Sequence, residues 1–198
     1  MNPVNKNVLI LGLGAIGSNV GMTLSSWSDD LVIHGLDHDT VERRNIYTQA
    51  YPARVIGKAK PVAFGAELIY KFGMAPKGKF HYVHFDKFAG KGRDFDLIVD
   101  CFDNWESRRL AFEFSGKTNL LRLGFDFVNE KPVASALWNR EVEDTKSLKT
   151  VVDLCDLREW SWWIKAVSGI FTGLIVDFIS TGAKRNILIW DSLKISEI

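Results

Sequence analysis

The chain has 198 residues, with 25 Lys and Arg against 24 Asp and Glu and a formal net charge of +1. Hydrophobic residues make up 46% and charged residues 25%, a globular mixture that excludes disorder over most of the length and supplies one core. A balance this near neutral excludes a protein devoted to phosphate-backbone binding, so no nucleic-acid partner is expected. The two cysteines, Cys101 and Cys155, are too few for a disulfide framework or a four-cysteine zinc, which points to a reducing cytoplasm.

The longest stretch without charge runs between Lys6 and Asp29. Gly12, Gly14, Gly17 and Gly21, with Asn19 and Thr23 among them, interrupt it, so neither a membrane span nor a targeting segment is expected. Residues 7–11 are an apolar run ending in glycines, and Ile16, Val20, Leu24 and Trp27 then recur at helical spacing, which predicts strand, tight turn and helix. A second apolar run, 31–36, ends at Asp37 and completes a βαβ unit. A polar loop follows. The pattern over 57–72 is helical, and because Pro61 is acceptable only in a first turn the helix is predicted to start near Lys60.

Residues 79–85 alternate as a strand does, and 97–101 form a short buried run. A helix over 105–116, strands over 120–123 and 132–138, and an exposed loop over 140–153 come next. Ile164, Val167, Phe171, Leu174 and Phe178 mark a long helix that stops at Gly182, and residues 186–190 read as a closing strand. The fold class expected is α/β: one domain over 1–198 with a Rossmann-like sheet, parallel in its first half and antiparallel toward the C-terminus, and helices on both faces.

Gly12, Gly14 and Gly17 follow a strand and open a helix, where glycines let backbone approach a phosphate and free N–H groups attract negative charge. Asp37, at the end of the second strand, is suited to accept hydrogen bonds from ribose hydroxyls. This pair of features is equally at home with NAD and with ATP.

Three later segments discriminate. They are Asp37-His38-Asp39-Thr40-Val41-Glu42-Arg43-Arg44-Asn45-Ile46-Tyr47-Thr48-Gln49, then Gly57-Lys58-Ala59-Lys60, then Asp100-Cys101-Phe102-Asp103-Asn104. Together with the glycine turn they resemble the ThiF, MoeB and HesA family, to which ubiquitin-activating enzymes are related. Its pattern is a Gly-rich turn, D-x-D-x-V-x-x-S-N-L-x-R-Q, G-x-x-K and D-x-x-D-N. The resemblance extends over about residues 7–190.

It implies ATP- and Mg²⁺-dependent adenylation of a carboxylate, most naturally the C-terminal glycine of a ubiquitin-like or sulfur-carrier protein, by a homodimer. Carried over position by position, it makes Gly12, Gly14 and Gly17 the phosphate turn, Asp37 the ribose ligand, and Asn45 and Lys60 phosphate contacts. Asp39, Gln49 and Asn104 then belong to the nucleotide site, and Asp103 holds the metal. Cys155 stands roughly where relatives carry a cysteine that takes the activated acyl group or sulfur; a structural thiol is the other reading. Asn104 is equally suited to cap the following helix.

Three departures bear on catalysis. Thr48 stands where the family has arginine, so Arg43 or Arg44 substitutes or adenylation is weak. The first strand begins too early for the N-terminal helix of many relatives, and paired CxxC motifs are lacking, so no structural zinc is expected. Trp160, Trp162 and Trp163 read either as core or as a partner surface. The alternatives to adenylation are a catalytically impaired, nucleotide-binding or regulatory family member and, resting on the glycine turn and Asp37 alone, an NAD-dependent oxidoreductase.

Overall fold

The computed structural model describes residues 6–28, 30–73, 76–140 and 158–198. The strands are β1 (Lys6–Leu11), β2 (Leu31–Asp37), β3 (Phe80–Tyr82), β4 (Leu97–Asp100), β5 (Asn119–Val128), β6 (Lys131–Trp138), β7 (Ile187–Ile189) and β8 (Ile195–Glu197). The helices are α1 (Ala15–Trp27), α2 (Asn45–Thr48), α3 (Lys60–Phe72), α4 (Trp105–Ser115) and α5 (Ser161–Thr181). All eight strands form one sheet in the order β3-β2-β1-β4-β5-β6-β7-β8. The pairs from β3 to β5 are parallel and those from β5 to β8 antiparallel, as expected from the sequence. The one-turn helix α2 and the strand β8 are not legible in the sequence, because neither is long enough to show a period.

The sheet divides two apolar layers. One joins Val8, Ile10 and Ile33 to Phe64 of α3 and to Trp163, Ile164, Val167 and Phe171 of α5. The other joins Leu9, Leu11, Leu36 and Ile98 to Ala111 of α4. The alternation along β1 is the period-two signature of a strand buried on both faces. α5 packs mainly against α1. It is the one described helix long and apolar enough to cross a membrane by length and composition, yet the face carrying Trp163, Val167 and Phe171 is core. The tryptophan cluster therefore splits: Trp163 is fully buried, Trp160 half-buried and Trp162 exposed.

The helix ends obey their sequence signals. Pro61 lies in the first turn of α3, and Gly73 and Gly182 close α3 and α5 at φ 70° and 79°, the left-handed conformation glycine tolerates best. α2 is set by burial. Thr48 is wholly inaccessible; its carbonyl accepts from Asn19 Nδ2 at 2.8 Å, while its hydroxyl has no hydrogen-bond partner.

Two outcomes are expected. Thr48→Val, which swaps an unpartnered buried hydroxyl for a methyl, should leave the unfolding midpoint unchanged or raise it, whereas Thr48→Arg should destabilise by more than about 2 kcal/mol. Urea or thermal unfolding measures both.

On the α4 side of the sheet, His34 Nδ1 accepts the Lys79 N–H at 3.2 Å, and burial, with His81 and Lys79 nearby, holds its imidazole below the ordinary histidine range. The unfolded chain then binds that proton more readily, so stability is full above about pH 6.5 and falls as pH drops below it. Thermal scans from pH 7.5 to 5.5 should show this fall, and His34→Gln should flatten it.

Candidate functional site

The sheet reverses its winding between β1 and β4. β1 connects through α1 to β2 on one side, while β4 lies on the other, and open α/β sheets bind ligands beyond the carboxyl ends of strands at such a point. Three of the sequence motifs end there. The glycine turn leaves β1 at Leu11, Asp37 ends β2, and the segment with Asp103 leaves β4 at Asp100, the register partner of Leu11.

The three glycines have different roles. Gly12 has φ +84°, and a Cβ there would lie 3.2 Å from the Cys101 carbonyl oxygen, so the turn is pressed against the segment that carries Asp103. A Cβ on Gly17 would come within 1.9 Å of the Gly12 carbonyl oxygen, which makes this glycine the contact that lets α1 start directly over the turn. Gly14 is the N-cap of α1, has no side-chain cap, and has nothing within 4 Å of where a Cβ would stand. The position a Gly14 side chain would take is thus open, at a helix start where free N–H groups favour a phosphate.

Asp37 is a buried acid, not a solvated loop residue. Its Oδ2 accepts the Leu13 N–H at 2.7 Å and its Oδ1 the Asp39 N–H at 2.8 Å, locking the glycine turn to the end of β2. A carboxylate has lone pairs beyond these two bonds, enough for a pair of ribose hydroxyls. Tyr51 completes the lock, donating its buried hydroxyl to the Leu13 carbonyl at 2.9 Å.

Lys60 is likewise not a surface lysine at a helix start. Its side chain is 9% exposed, with Nζ 2.8 Å from Asp39 Oδ2 and 3.9 Å from Asp37 Oδ2. Its backbone N–H donates to the Asp39 carbonyl at 2.9 Å, and a bridge between Thr40 and Ala59 ties the same two segments. Burial pushes the Asp39 carboxyl up, but the bond and charge of Lys60, with His38 and His84 adding, outweigh it and hold the acid below its ordinary range. Asp37, His38 and Asp39 are the one group among the described residues with ligand atoms close enough for a metal ion. Lys60 already supplies a cation to both acids.

Asn45 and Gln49 are buried in the polar loop and order it: Asn45 Oδ1 accepts the Glu42 N–H at 2.7 Å, and the Gln49 N–H donates to the Asn45 carbonyl at 2.8 Å. Arg44 Nε pairs with Glu42 at 2.7 Å, both half exposed. Asn104 caps α4, its Oδ1 accepting the Ser107 N–H at 2.8 Å. Asp103 is exposed beside that cap, and its carboxylate accepts a long bond, 3.4 Å, from Asn104 Nδ2. That leaves a carboxylate with room to hold a divalent cation. Cys155 lies outside the described residues. Cys101 follows the end of β4, partly buried against the core, and burial, then Asp100, pushes its thiol well up and disfavours the thiolate.

Sequence reasoning missed the charges that fix the Asp103 segment. Asp100 is fully buried; its Oδ1 accepts the Phe102 N–H at 3.1 Å and its Oδ2 pairs with Arg122 Nε at 3.0 Å. Burial pushes the Asp100 carboxyl up against the opposing pull of Arg108 and Arg122. Arg108 donates from Nε to the Phe102 carbonyl at 2.6 Å and from Nη2 to the Leu123 carbonyl at 3.3 Å. Arg122, a charge in the middle of the apolar run LLRLGF, is the signal that could have found them.

A sequence model of the ThiF family matches residues 4–136. No curated protein matches the chain in sequence. Among solved structures, E. coli MccB with ATP has a TM-score of 0.71 at 17% identity, covering 100% of this chain and 64% of its own. E. coli MccB with AMPCPP and selenomethionine MccA gives 0.70 at 16%, again covering 100% of this chain and 64% of its own. Selenomethionine PaaA gives 0.67 at 16%, with 99% and 64% covered. At such identities the likeness is one of fold, and the chain spans 64% of the length of these structures. The family match takes in the glycine turn, the buried Asp37 and Lys60 with the exposed Asp39, and the Asp103 segment, and extends over more than half of the sequence: the chain belongs to the ThiF family.

Proposed function

We propose that the chain binds Mg·ATP at the switch point and adenylates a carboxylate, the C-terminal glycine of a ubiquitin-like or sulfur-carrier protein or the carboxyl group of a peptide. The observation that carries this reading is the placement of Lys60, a buried ammonium balanced between Asp37 and Asp39 beside the open cradle at Gly14. Mg·ATP supplies an electrophilic phosphorus and a pyrophosphate leaving group. The residues of the chain bring two anions together and hold them: α1 and Gly14 receive phosphate, Asp37 receives the ribose, and Lys60 offsets negative charge as the carboxylate approaches. Asn45, Gln49 and Asp39 shape the loop around Lys60, Asn104 holds the start of α4, and Asp103 holds the metal. Cys155 is the residue proposed to take the activated group, and the acting form is a cytoplasmic homodimer.

Family membership and the likeness to MccB, solved with ATP, support this reading. MccB solved together with MccA supports a peptide or small protein as the carboxylate donor. One observation favours a second reading, an impaired member that binds nucleotide without turning it over. Position 48, where the family pattern has arginine, is inside the protein and delivers no cation to the cleft. Arg44 is paired with Glu42, and Arg158 stacks 4.2 Å above the Tyr47 ring.

Thermal unfolding with Mg·ATP, with NAD⁺ as control, separates these readings from oxidoreductase chemistry. At a hundredfold excess over Kd, binding adds about 2.7 kcal/mol, and a domain of this size gains about 2–4 °C per kcal/mol. A shift with ATP alone is expected, and a shift with NAD⁺ alone would replace adenylation with hydride transfer. Gly14→Val should keep the unfolding free energy within about 1 kcal/mol of the parent, because its side chain enters open space, yet remove most of the ATP shift. Pyrophosphate exchange into ATP, driven by a carrier protein or peptide with a free carboxylate, should fall by at least about a hundredfold in Lys60→Ala and in Asp103→Ala. ATP binding without exchange for any carboxylate would favour the impaired reading.

A further inference from the structure

The crossover from β3 to β4 carries no α-helix. Residues 83–96 make two single 3-10 turns, Phe85–Lys87 and Gly92–Asp94, so among the described residues no helix lies over β2 and β3 on the α4 side of the sheet. What stands there is an open groove of about 660 Å³ along the sheet edge. Phe88 and Phe95 form apolar walls, Lys79 and Lys87 bring positive charge, and His34 and His81, whose imidazoles burial holds below the ordinary histidine range, bring hydrogen-bonding nitrogens. Asp94 is the one carboxylate of the lining, and it accepts the Lys91 N–H at 3.2 Å. His34 is held as a neutral donor: its Nδ1 accepts the Lys79 N–H at 3.2 Å, which leaves Nε2–H to face Asn7 Oδ1 at 3.4 Å. His81 meets the Phe88 ring edge-on at 4.9 Å.

Among the described residues the groove runs beside an unpaired strand edge. β3 is the outermost strand, and its bonds to β2 use the Lys79 carbonyl, paired with the Gly35 N–H, and the Val83 N–H, paired with the Asp37 carbonyl, both at 3.1 Å. In a parallel pair alternate residues face the neighbour, so Phe80 and Tyr82 turn their main-chain N–H and C=O groups outward. Tyr82 is exposed. The lysines along this edge disfavour pairing with a second copy of it, and the same charges attract an acidic segment.

We infer that this groove is a docking site for an extended acidic peptide, which pairs as an added strand with Phe80 and Tyr82 of β3 and sets its carboxylates against Lys79, Lys87 and His81. Main-chain bonds supply the pairing, and the basic groove supplies the choice of sequence. The site lies on the α4 side near the outer edge, and its Tyr82 end adjoins Asp37, the register partner of Tyr82.

The test is fluorescence polarisation with three labelled octapeptides, alternating Glu-Val, alternating Lys-Val and alternating Glu-Pro. The last keeps the charge and cannot donate main-chain bonds at every second residue. The Glu-Val peptide is expected to bind, and the other two at least about tenfold more weakly. Lys79→Glu combined with Lys87→Glu should weaken Glu-Val binding at least about tenfold while leaving the unfolding midpoint in place. Tyr82→Pro, which removes an outward N–H and no bond to β2, should weaken it as well. Equal binding of Glu-Pro would overturn strand addition. Unchanged binding in the variants, or no Glu-Val binding at about 1 mM in physiological salt, would overturn the site.

Discussion

The site hangs on one close approach: α1 starts so near the end of β1 that a methyl on Gly17 would collide with the Gly12 carbonyl oxygen. This contact aims the leading N–H groups of α1 at the space beyond the strand ends. The rest of the site is arranged to hold that geometry. Gly12 abuts Cys101, Asp37 bonds the Leu13 N–H, and Tyr51 bonds the Leu13 carbonyl, so β1, β2, β4 and the polar loop are all tied to a single turn.

Buried charge does the second part of the positioning, in two separate clusters. On the loop side Lys60 lies between Asp37 and Asp39; on the β4 side Arg122 and Arg108 surround Asp100 and the Phe102 main chain. Ion pairs of this kind are weak contributors to net stability, yet removing one partner costs about 3–5 kcal/mol, because the other charge is left buried. Both clusters therefore fix position more than they add stability. The loop cluster differs in kind: one of its two carboxylates, Asp39, is exposed, whereas Asp100 and Arg122 are both buried.

Much of this is legible in residue order. The glycine turn, Asp37, the start of α3 at Lys60 with Pro61 in its first turn, and the switch from parallel to antiparallel pairing all follow from local rules and short-range spacing. The burial of Lys60 does not, since it depends on Asp37 and Asp39 arriving from another segment. Asp100 stands in its motif with no role visible in sequence, because its partners Arg122 and Arg108 come from β5 and α4. Thr48 reads as a lost cation in sequence; in the structure its side chain points inward, so the position is part of the packing. The helix-free crossover leaves no trace of its own, since an irregular segment rich in phenylalanine shows no period.

That crossover also sets how the molecule comes apart. β3 is three residues long, pairs on one side only, and is followed by turns instead of a packed helix, so it has few bonds to lose on opening. β1 and β4 are paired on both sides and buried on both faces. Amide exchange is thus expected to be graded across the sheet, fast at the β3 edge and slow at the centre. A segment that pairs with β3 would close that opening, and its affinity would carry the free energy of ordering the edge.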